Sequence, residues 1–593
     1  MYILGISCYY HDAAACLLRD GEVIAAAEEE RFTRIKHDSS FPIKAIDFCL
    51  EYAGIKKADI DYVVFNEKPF LKFERIIKTI FATYPLSAGL FQESVINWMG
   101  NKLWIKSLIE EKIGIGQDKI LFCQHHISHA ASSFLCSPFQ EAAILTCDGV
   151  GEWETTAIGF GKSDWKEAGR NEIQLFEEIR FPHSLGLLYS AFTAFLGFEV
   201  NEGEYKVMGM AGFGEPKYAD KIYKLINVNE DGSFRLNMEY FSFHYHTKKS
   251  FNKRFEKLFG KPRDPKVHFI TSKTSRYDYA ISPTKEEMAK NQYYADIAAS
   301  IQKVAEEILV RIANHLHKKT GSKKLCLAGG VALNCVANSK ILQETPFEEI
   351  FIQPAAGDAG AAMGDALYVW HCLLQKQRRF VLKHAYWGKD YSEAEIKSYL
   401  IKNNIRFEHI AEEYKLLDSV SAMITEGKVV GWFQGRFEWG PRALGNRSIL
   451  ADPRNKKMKD IVNIKIKFRE PFRPFAPSVL KEKCQDLFEF DKSANQHPLK
   501  FMLYAVPVKK RELTPAITHV DGSSRVQIVD KETNPLFYRL IEKFYEITGI
   551  PLLLNTSFNL KGEPIVNTPQ DAFNTFTKSD LDVLVLGNFV IRK

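Results

Sequence analysis

At 593 residues the chain exceeds the roughly 250–300 residues at which a single hydrophobic core stops growing, so two or more domains are expected. Apolar residues make up 46%, charged residues 26% and aromatics 13%, a balance that excludes disorder, collagen and coiled coil. A net charge of +6, with both signs interspersed, suits anionic small molecules better than nucleic acid, which wants a concentrated basic face. No apolar run approaches the ~20 residues of a membrane span, and the opening MYILGISCYY lacks the basic start and cleavage site of a signal peptide. The ten cysteines form no CxxC pair and read as reduced thiols of a cytoplasmic protein.

In chain order, residues 2–8 read as a strand, followed by 13–18, a turn at Arg19-Asp20-Gly21, and 23–27. Asp-Gly between apolar runs is a hairpin signal. Residues 43–52 have helical spacing and stop at Gly54. A second strand–acid–turn–strand unit follows, with 142–147 ending in Asp148-Gly149 and 155–161 as its partner. Two such copies predict a duplicated α/β domain. Residues 290–319 form a long amphipathic helix stopped by Gly321. Strands at 325–328 and 350–353 each run into glycine and then a helix, the alternation of a parallel α/β fold. The stretch 375–391 is the candidate boundary, giving domains 1–378 and 379–593. Beyond it, 431–473 is dense in arginine, glycine and proline, and the chain closes with a strand at 551–554 and a terminal strand pair.

The first constellation with chemistry in it is HHISHAASS. In a helix, His125 and His129 would share one face while His126 points about a hundred degrees away. Asp148 in CDGVG and Asp358 in GDAGAA are strand-end acids that could complete a metal set. Two histidines and two aspartates suit a borderline ion such as Fe2+, Zn2+ or Mn2+, and argue against a closed structural zinc, which favours thiolates. The alternative is that the histidines fill or cap their helix and the aspartates merely end strands. His11 stands just past a strand end, where a parallel sheet opens its ligand crevice, and histidine is the natural base near neutral pH. Glycines at Gly149, Gly329, Gly330 and Gly357 could let the backbone approach a nucleotide. Asn334 could bind ribose or base, or cap its helix.

Several motifs together resemble one family: His11-Asp12, the run EEERFTRIKHD at 28–38, HxxxH, the run EYKVMGMA at 204–211, GGVALN at 329–334, GPRALGNRSILADPR at 440–454 and NTSFN at 555–559. They are similar to the NodU/CmcH/TobZ-type O-carbamoyltransferases across nearly the whole chain. The resemblance implies a duplicated actin/sugar-kinase-like (ASKHA) N-terminal domain and a YrdC-like α/β C-terminal domain. It implies that the C-terminal domain makes carbamoyl-adenylate from carbamoyl phosphate and ATP with Mg2+. The N-terminal domain then passes the carbamoyl group to a hydroxyl of a small-molecule acceptor, of secondary-metabolite or sugar type. Carried over residue by residue, His125, His129, Asp148 and Asp358 fall on the metal ligands, with Fe2+ the first choice. His11 falls on the base and Lys36 on a basic residue near the transferred group. Arg442, Arg447, Lys467, Arg473, Ser557 and Asn559 fall on the binding groups for carbamoyl phosphate and ATP, where two polyanions call for fixed cations. Glu204-Tyr205-Lys206 departs from the family's Glu-Gly-Lys. Acceptor recognition is expected within 98–108, 181–198 and 235–278, and a homodimer is compatible with the pattern.

Rival readings are a sugar-kinase-class phosphotransferase, a non-haem Fe(II) oxygenase, and an RNA-associated ATPase related to the tRNA threonylcarbamoyl enzyme. The first explains neither the histidine pair nor the arginine-rich half. The second needs open positions on iron, which a second aspartate and a nucleotide would fill. The third lacks an RNA-binding motif and has only a modest basic bias.

Overall fold

The computed structural model describes residues 1–100, 102–166, 170–274, 283–490 and 497–593. Of the segments expected to recognise an acceptor, residues 101 and 275–278 lie outside these. Contacts divide the chain into two units, neither continuous in sequence. The first comprises Met1–Glu29, Ser39–His268 and Lys285–Leu382; the second takes Glu30–Asp38, Phe269–Thr284 and Lys383–Lys593. All ten cysteines are unbonded, and no helix of the described residues is long and apolar enough to cross a membrane.

The first unit is mixed α/β, built on two five-stranded sheets. Strands β1 (Tyr2–Ser7), β2 (Ala14–Arg19), β3 (Glu22–Glu28), β4 (Tyr62–Phe65) and β5 (Ile120–Phe122) form the first, in the order β3-β2-β1-β4-β5. Strands β6 (Glu141–Cys147), β7 (Glu154–Ser163) and β8 (Asn171–Arg180) belong to the second, while β9 (Ile226–Val228) and β10 (Phe234–Leu236) make a separate small pair. With β11 (Lys324–Ala328) and β12 (Glu349–Ile352) the second sheet reads β12-β11-β6-β7-β8. In both sheets the first three strands of the copy pair antiparallel, and the last two add in parallel to the first. The two sheets therefore repeat one topology, as the paired strand–acid–turn units suggest.

Local signals explain the element ends. Asp20 (φ 52°) and Gly21 (φ 86°) make the β2–β3 turn in the left-handed region that Asp and Gly tolerate best. The Ile43–Ala53 helix ends on Gly54 in the left-handed conformation. The long helix runs Lys285–Thr320, starting five residues before the periodicity predicts. Glu286 and Glu287 in its first turn and His317, Lys318 and Lys319 in its last complement the helix dipole and extend it. After β11 the chain does not enter a helix directly. A 3-10 turn, Gly330–Leu333, intervenes before the Cys335–Glu344 helix.

Two helices occupy equivalent places in the duplicated topology: His125–Phe134 follows β5, and Asp358–Tyr368 follows β12. They pack on each other, with glycine at the crossing. A Cβ on Gly364 would stand 2.1 Å from Ser128 O and 2.7 Å from Ser132 N. A Cβ on Gly5 of β1 would stand 1.8 Å from Ala362 O. Only hydrogen at those positions lets the helices and β1 approach this closely.

The second unit holds an eight-stranded mixed sheet in the order β13-β22-β21-β14-β15-β20-β16-β19. Its strands are β13 (Glu408–His409), β14 (Val430–Phe433), β15 (Arg447–Ala451), β16 (Ala476–Leu480), β19 (Gln527–Val529), β20 (Leu552–Ser557), β21 (Val583–Leu586) and β22 (Phe589–Arg592), with β17 (Ala505–Pro507) and β18 (Ser523–Arg525) paired apart. Trp432, Trp439, Phe537 and Phe558 are among its fully buried side chains.

Replacing Gly364 by alanine is expected to cost about 1–3 kcal/mol by overpacking the helix crossing, read as a lower urea midpoint. Gly89→Ala, where the added Cβ meets nothing within 4 Å, should leave stability unchanged or raise it by up to about 1 kcal/mol.

Candidate functional site

His125 and Asp358 are each the first residue of their helix, following Gln124 and Gly357 as N-caps. His129 lies one turn on, and Asp148 directly follows β6. The crossing helices thus bring four side chains from three separated stretches to one point. All four are buried. Their nearest donor atoms all lie within 4.8 Å of one another. His125 Nε2 is 3.1 Å from His129 Nε2 and 3.1 Å from Asp148 Oδ2. It is 3.6 Å from Asp358 Oδ1, while His129 Nε2 is 3.7 Å from Asp148 Oδ2 and 3.4 Å from Asp358 Oδ1. A tetrahedron with metal–ligand arms of about 2.1 Å has edges of about 3.4 Å, so the spacing fits a divalent ion held by nitrogen and oxygen. Asp358 Oδ1 is buried without a hydrogen-bond partner, as are the Nδ1 atoms of both histidines. An orphaned carboxylate oxygen aimed at two imidazoles is what a cation would satisfy.

The electrostatics agree. Burial lowers the proton affinity of His129, but Asp148 and Asp358 outweigh it and raise the imidazole to about 9. His125 is likewise raised. Burial pushes both aspartates up, yet their charged neighbours hold them down: chiefly His125 and His129 for Asp148, and His11 and the same histidines for Asp358. Without a cation, protons do its work.

Backbone and carboxylate groups hold these side chains in place. Gly330 N donates to Asp148 Oδ1 at 2.8 Å. Gly329, at φ 92°, sits where a Cβ would lie 2.2 Å from Cys147 O, so the GG turn is needed for close approach to β6. Glu152 accepts from His125 N with both oxygens, at 3.1 Å each, and caps that helix. Sequence reading passed over Glu152; its position four residues beyond Asp148, in the same turn, was the available signal. His126 turns away as its helical phase predicts, bonded to Thr146 Oγ1 at 2.7 Å and Glu154 O at 3.0 Å. Burial pushes it down to about 3, and it stays neutral.

His11 lies against this cluster, its Nε2 3.7 Å from Asp358 Oδ2 and its Nδ1 3.0 Å from Asp12. Burial lowers its proton affinity, but Asp358, Asp12 and Asp148 carry it up to about 10. Asn334 caps the Cys335–Glu344 helix through Ala337 N at 3.1 Å and exchanges two 3.0 Å hydrogen bonds with Gln302. Its amide oxygen thus accepts twice within the fold and its Nδ2 donates once. Open space surrounds the positions where Gly357 would carry a Cβ, and Gly149 meets only Tyr10 Oη at 4.0 Å. Glu204, beside the departing Tyr205, is fixed by Ser190 Oγ at 2.8 Å and Asn201 N at 3.1 Å.

In the second unit, Lys467, Ser557 and Asn559 converge. Lys467 Nζ donates to Ser557 O at 2.7 Å and to Asn559 Oδ1 at 2.5 Å, and Ser557 Oγ donates to Asn559 Oδ1 at 2.7 Å. Lys467 is buried, and burial, Arg469, Arg473 and Lys36 together hold its proton affinity well below the usual lysine value. Lys36 therefore belongs with this cationic group in the second unit. Arg473 stands 3.5 Å from Glu470, and Arg442 is half-buried. Arg447, expected among the same binding groups, is engaged with the backbone. It is fully buried, donates to Gln434 O, Asn446 O and Lys389 O, and stacks 3.6 Å from the Phe433 ring centre. Its terminal nitrogens brace the loop through these backbone carbonyls. Glu438 completes that brace by accepting from the backbone N–H groups of Leu444, Asn446 and Arg447; the GPRALGNRS motif gives no hint of it.

Comparison with known proteins follows these two units. A family model described as "Carbamoyltransferase N-terminus" matches residues 2–367, and one described as "Carbamoyltransferase C-terminus" matches 421–593. An uncharacterized protein of Synechocystis is 46% identical over 100% of this chain and 97% of its own length. Nodulation protein NolNO of Sinorhizobium fredii is 37% identical over 99% of this chain and 79% of its own. The 3'-hydroxymethylcephem-O-carbamoyltransferase of Streptomyces clavuligerus is 34% identical over 45% of this chain and 49% of its own. Among solved structures, HypF of T. kodakarensis overlaps 63% of this chain and 48% of its own at 13% identity, with a TM-score of 0.29, too low to bear on the fold.

The purified protein is expected to carry about one divalent ion per chain, lost in His125→Ala and His129→Ala when measured by elemental analysis. The histidines are held above their ordinary values, so protons compete with metal beyond neutral pH. Uptake by the metal-free protein should release protons and strengthen as pH rises toward about 9, the value to which His129 is raised.

Proposed function

The chain belongs to the carbamoyltransferase family, and on that premise we propose that it is an ATP-dependent O-carbamoyltransferase working at two sites. The second unit, read as YrdC-like, would hydrolyse carbamoyl phosphate with one water to carbamate and phosphate; a carbamate oxygen then attacks the α-phosphorus of ATP, and pyrophosphate leaves. The first unit, read as the duplicated actin/sugar-kinase type, passes the carbamoyl group to a hydroxyl of a small acceptor. The observation that carries the reading is that the two family models cover the chain in order, one on each side of the change of unit at Leu382–Lys383.

The charge arrangement of each unit supports the role given to it. Burial first, and then repulsion from Arg469, Arg473 and Lys36, hold the proton affinity of Lys467 well below the usual lysine value. A polyanion relieves that repulsion, and ATP with carbamoyl phosphate is such a ligand. The hydroxyl of Ser557 and the amide of Asn559, held on Lys467, fix the geometry in which the oxyanions would sit.

Transfer needs a proton taken from the acceptor and negative charge stabilised as the adenylate departs. The acceptor oxygen attacks the carbamoyl carbon, the bond to the adenylate oxygen breaks, and AMP leaves with the bonding pair. His11 would take the hydroxyl proton in its neutral form, which requires a bound cation to offset the carboxylates that otherwise carry the imidazole up to about 10. Asp12 at its Nδ1 fixes the ring, and Nε2 lies 3.7 Å from Asp358 Oδ2, on the side of the four clustered groups. His125, His129, Asp148 and Asp358 would hold the divalent ion, iron(II) by first choice, which supplies Lewis-acid stabilisation of oxygen charge. The carboxylates that raise His11 are those the cation would share, so the strength of the base and occupancy of the centre are linked.

Separate half-reactions test the division. Lys467→Met and Arg473→Ala should abolish pyrophosphate release that depends on carbamoyl phosphate, yet retain transfer from supplied carbamoyl-adenylate. His11→Ala should retain pyrophosphate release and lose transfer by about 10²–10⁴-fold, the usual worth of a positioned general base. Folded variants that each fail in both half-reactions would refute the two-site scheme.

A further inference from the structure

The helix Pro69–Thr83 is built inside out. Phe70 and Phe81 are each 72% exposed, while Lys72 and Arg75 are 7% and 6% exposed. Soluble helices do the reverse, because desolvating a cation costs several kcal/mol (about that much per ion) unless it is paired. Lys72 is paired: its ammonium meets Glu67 and lies 5.0 Å over the Tyr10 ring. Arg75 is different. Among the described residues its guanidinium has neither ion-pair partner nor hydrogen-bond acceptor, and its enclosed Nε is unsatisfied. Its close neighbour is the Phe181 ring, 4.7 Å from the guanidinium carbon.

The surrounding charges are committed elsewhere. Glu67 holds Lys72, and Glu152 accepts from His125 N and, at 2.7 Å, from Lys68 N. Glu154 accepts from Trp153 N at 3.2 Å, and Lys102 donates to Tyr9 O at 2.6 Å. Burial lowers the proton affinity of Arg75 to about 10, against the opposing influence of Tyr10, Glu67, Glu152 and Glu154. A guanidinium lying on an aromatic face keeps its edge free for a planar oxyanion, which it binds through two parallel hydrogen bonds.

Tyr10 links this cation to the metal cluster. Its ring lies 4.6 Å from that of His11, and it feels the charges of Asp148, Asp358 and Arg75 at once. It is also 39% exposed, so this flank opens to solvent.

We propose that Arg75 recognises the acceptor, binding a carboxylate on the hydroxylated molecule and so presenting its hydroxyl to His11. The substrate class is thus a hydroxy acid, and this assignment rests on the transfer reading above. A phosphate offers the same chemistry, so the adenylate is the competing source of the oxyanion.

Calorimetric titration of the full chain with benzoate, with the neutral analogue benzamide, and with AMP separates these cases. Benzoate should bind saturably at millimolar concentration and more tightly than benzamide. Arg75→Met should remove that preference, a loss of about tenfold or more for a charged hydrogen-bonded pair, and Arg75→Lys should weaken it by less. AMP should bind all three proteins alike. Melting curves establish that the variants are folded, and Arg75→Lys, which keeps the charge in place, serves if Arg75→Met is not. No saturable benzoate binding by the parent protein, or undiminished binding by a folded variant, overturns the assignment. So does loss of AMP binding on substitution, since the guanidinium would then serve the adenylate phosphate. Pyrophosphate release dependent on carbamoyl phosphate, measured on the parent protein alone, tests the reaction separately: its absence would remove the proposed chemistry while leaving the carboxylate site to be judged on binding.

Discussion

The crossing of the His125–Phe134 and Asp358–Tyr368 helices is the constraint on which the first unit depends. Gly364 permits an approach that a single methyl group would block, with Ser128 O only 2.1 Å from the blocked position. That approach sets His125 and His129 against Asp358, and β6 delivers Asp148 to the same point. His125 and three further buried ionisable groups at 3.1–3.6 Å from its Nε2 could not share one space without a proton or a cation among them. The packing of two glycine-bearing surfaces and the charge state of the centre are therefore one problem. Moving the helices apart would relieve the charge and dissolve the site together.

The duplicated topology explains why the groups arrive from such distant parts of the chain. His125 and Asp358 open equivalent helices, each after the fifth strand of its copy. His11 and Asp148 follow equivalent strands, β1 and β6. One architectural position thus carries a histidine in the first copy and an aspartate in the second. The other carries His11, the proposed base, in the first and Asp148, a proposed ligand, in the second. Asymmetric chemistry arises from a symmetric frame by changing side chains at repeated places, which leaves the backbone that positions them alone.

The two units handle charge in opposite ways. In the first, aspartates raise the proton affinity of histidines, and the centre is poised for a cation. In the second, burial together with Arg469, Arg473 and Lys36 depresses Lys467, a charge arrangement that an anion would relieve. The proposed two-site reaction would give each an occupant class: a divalent ion for one and phosphates for the other. Arg75 belongs to neither arrangement, being a buried cation in a region whose carboxylates already have partners. Its isolation distinguishes it from the structural arginine Arg447, which spends its donors on backbone carbonyls.

Much of the first unit was legible in the sequence because its cues are local. Asp20-Gly21 specifies a hairpin, Gly54 and Gly321 stop helices, and HxxxH fixes two imidazoles on one face by helical geometry alone. The same geometry set His126 aside. Local pattern could not decide which acids meet the histidines, since Asp148 and Asp358 are separated by some two hundred residues and only strand pairing joins them. Nor could it tell Arg447 from Lys467. Both lie in an arginine- and lysine-rich stretch, yet one turns inward onto backbone carbonyls and the other onto Ser557 and Asn559. The helix Pro69–Thr83 shows the limit most clearly. Its sequence contains phenylalanines and cations at ordinary spacing, and periodicity would bury the phenylalanines. What the rest of the unit presents to it, Glu67, Tyr10 and Phe181, turned Lys72 and Arg75 inward. Sequence determines the elements and the chemistry each can carry; the partners across the fold decide which face is buried, because burial free energy depends on what lies opposite.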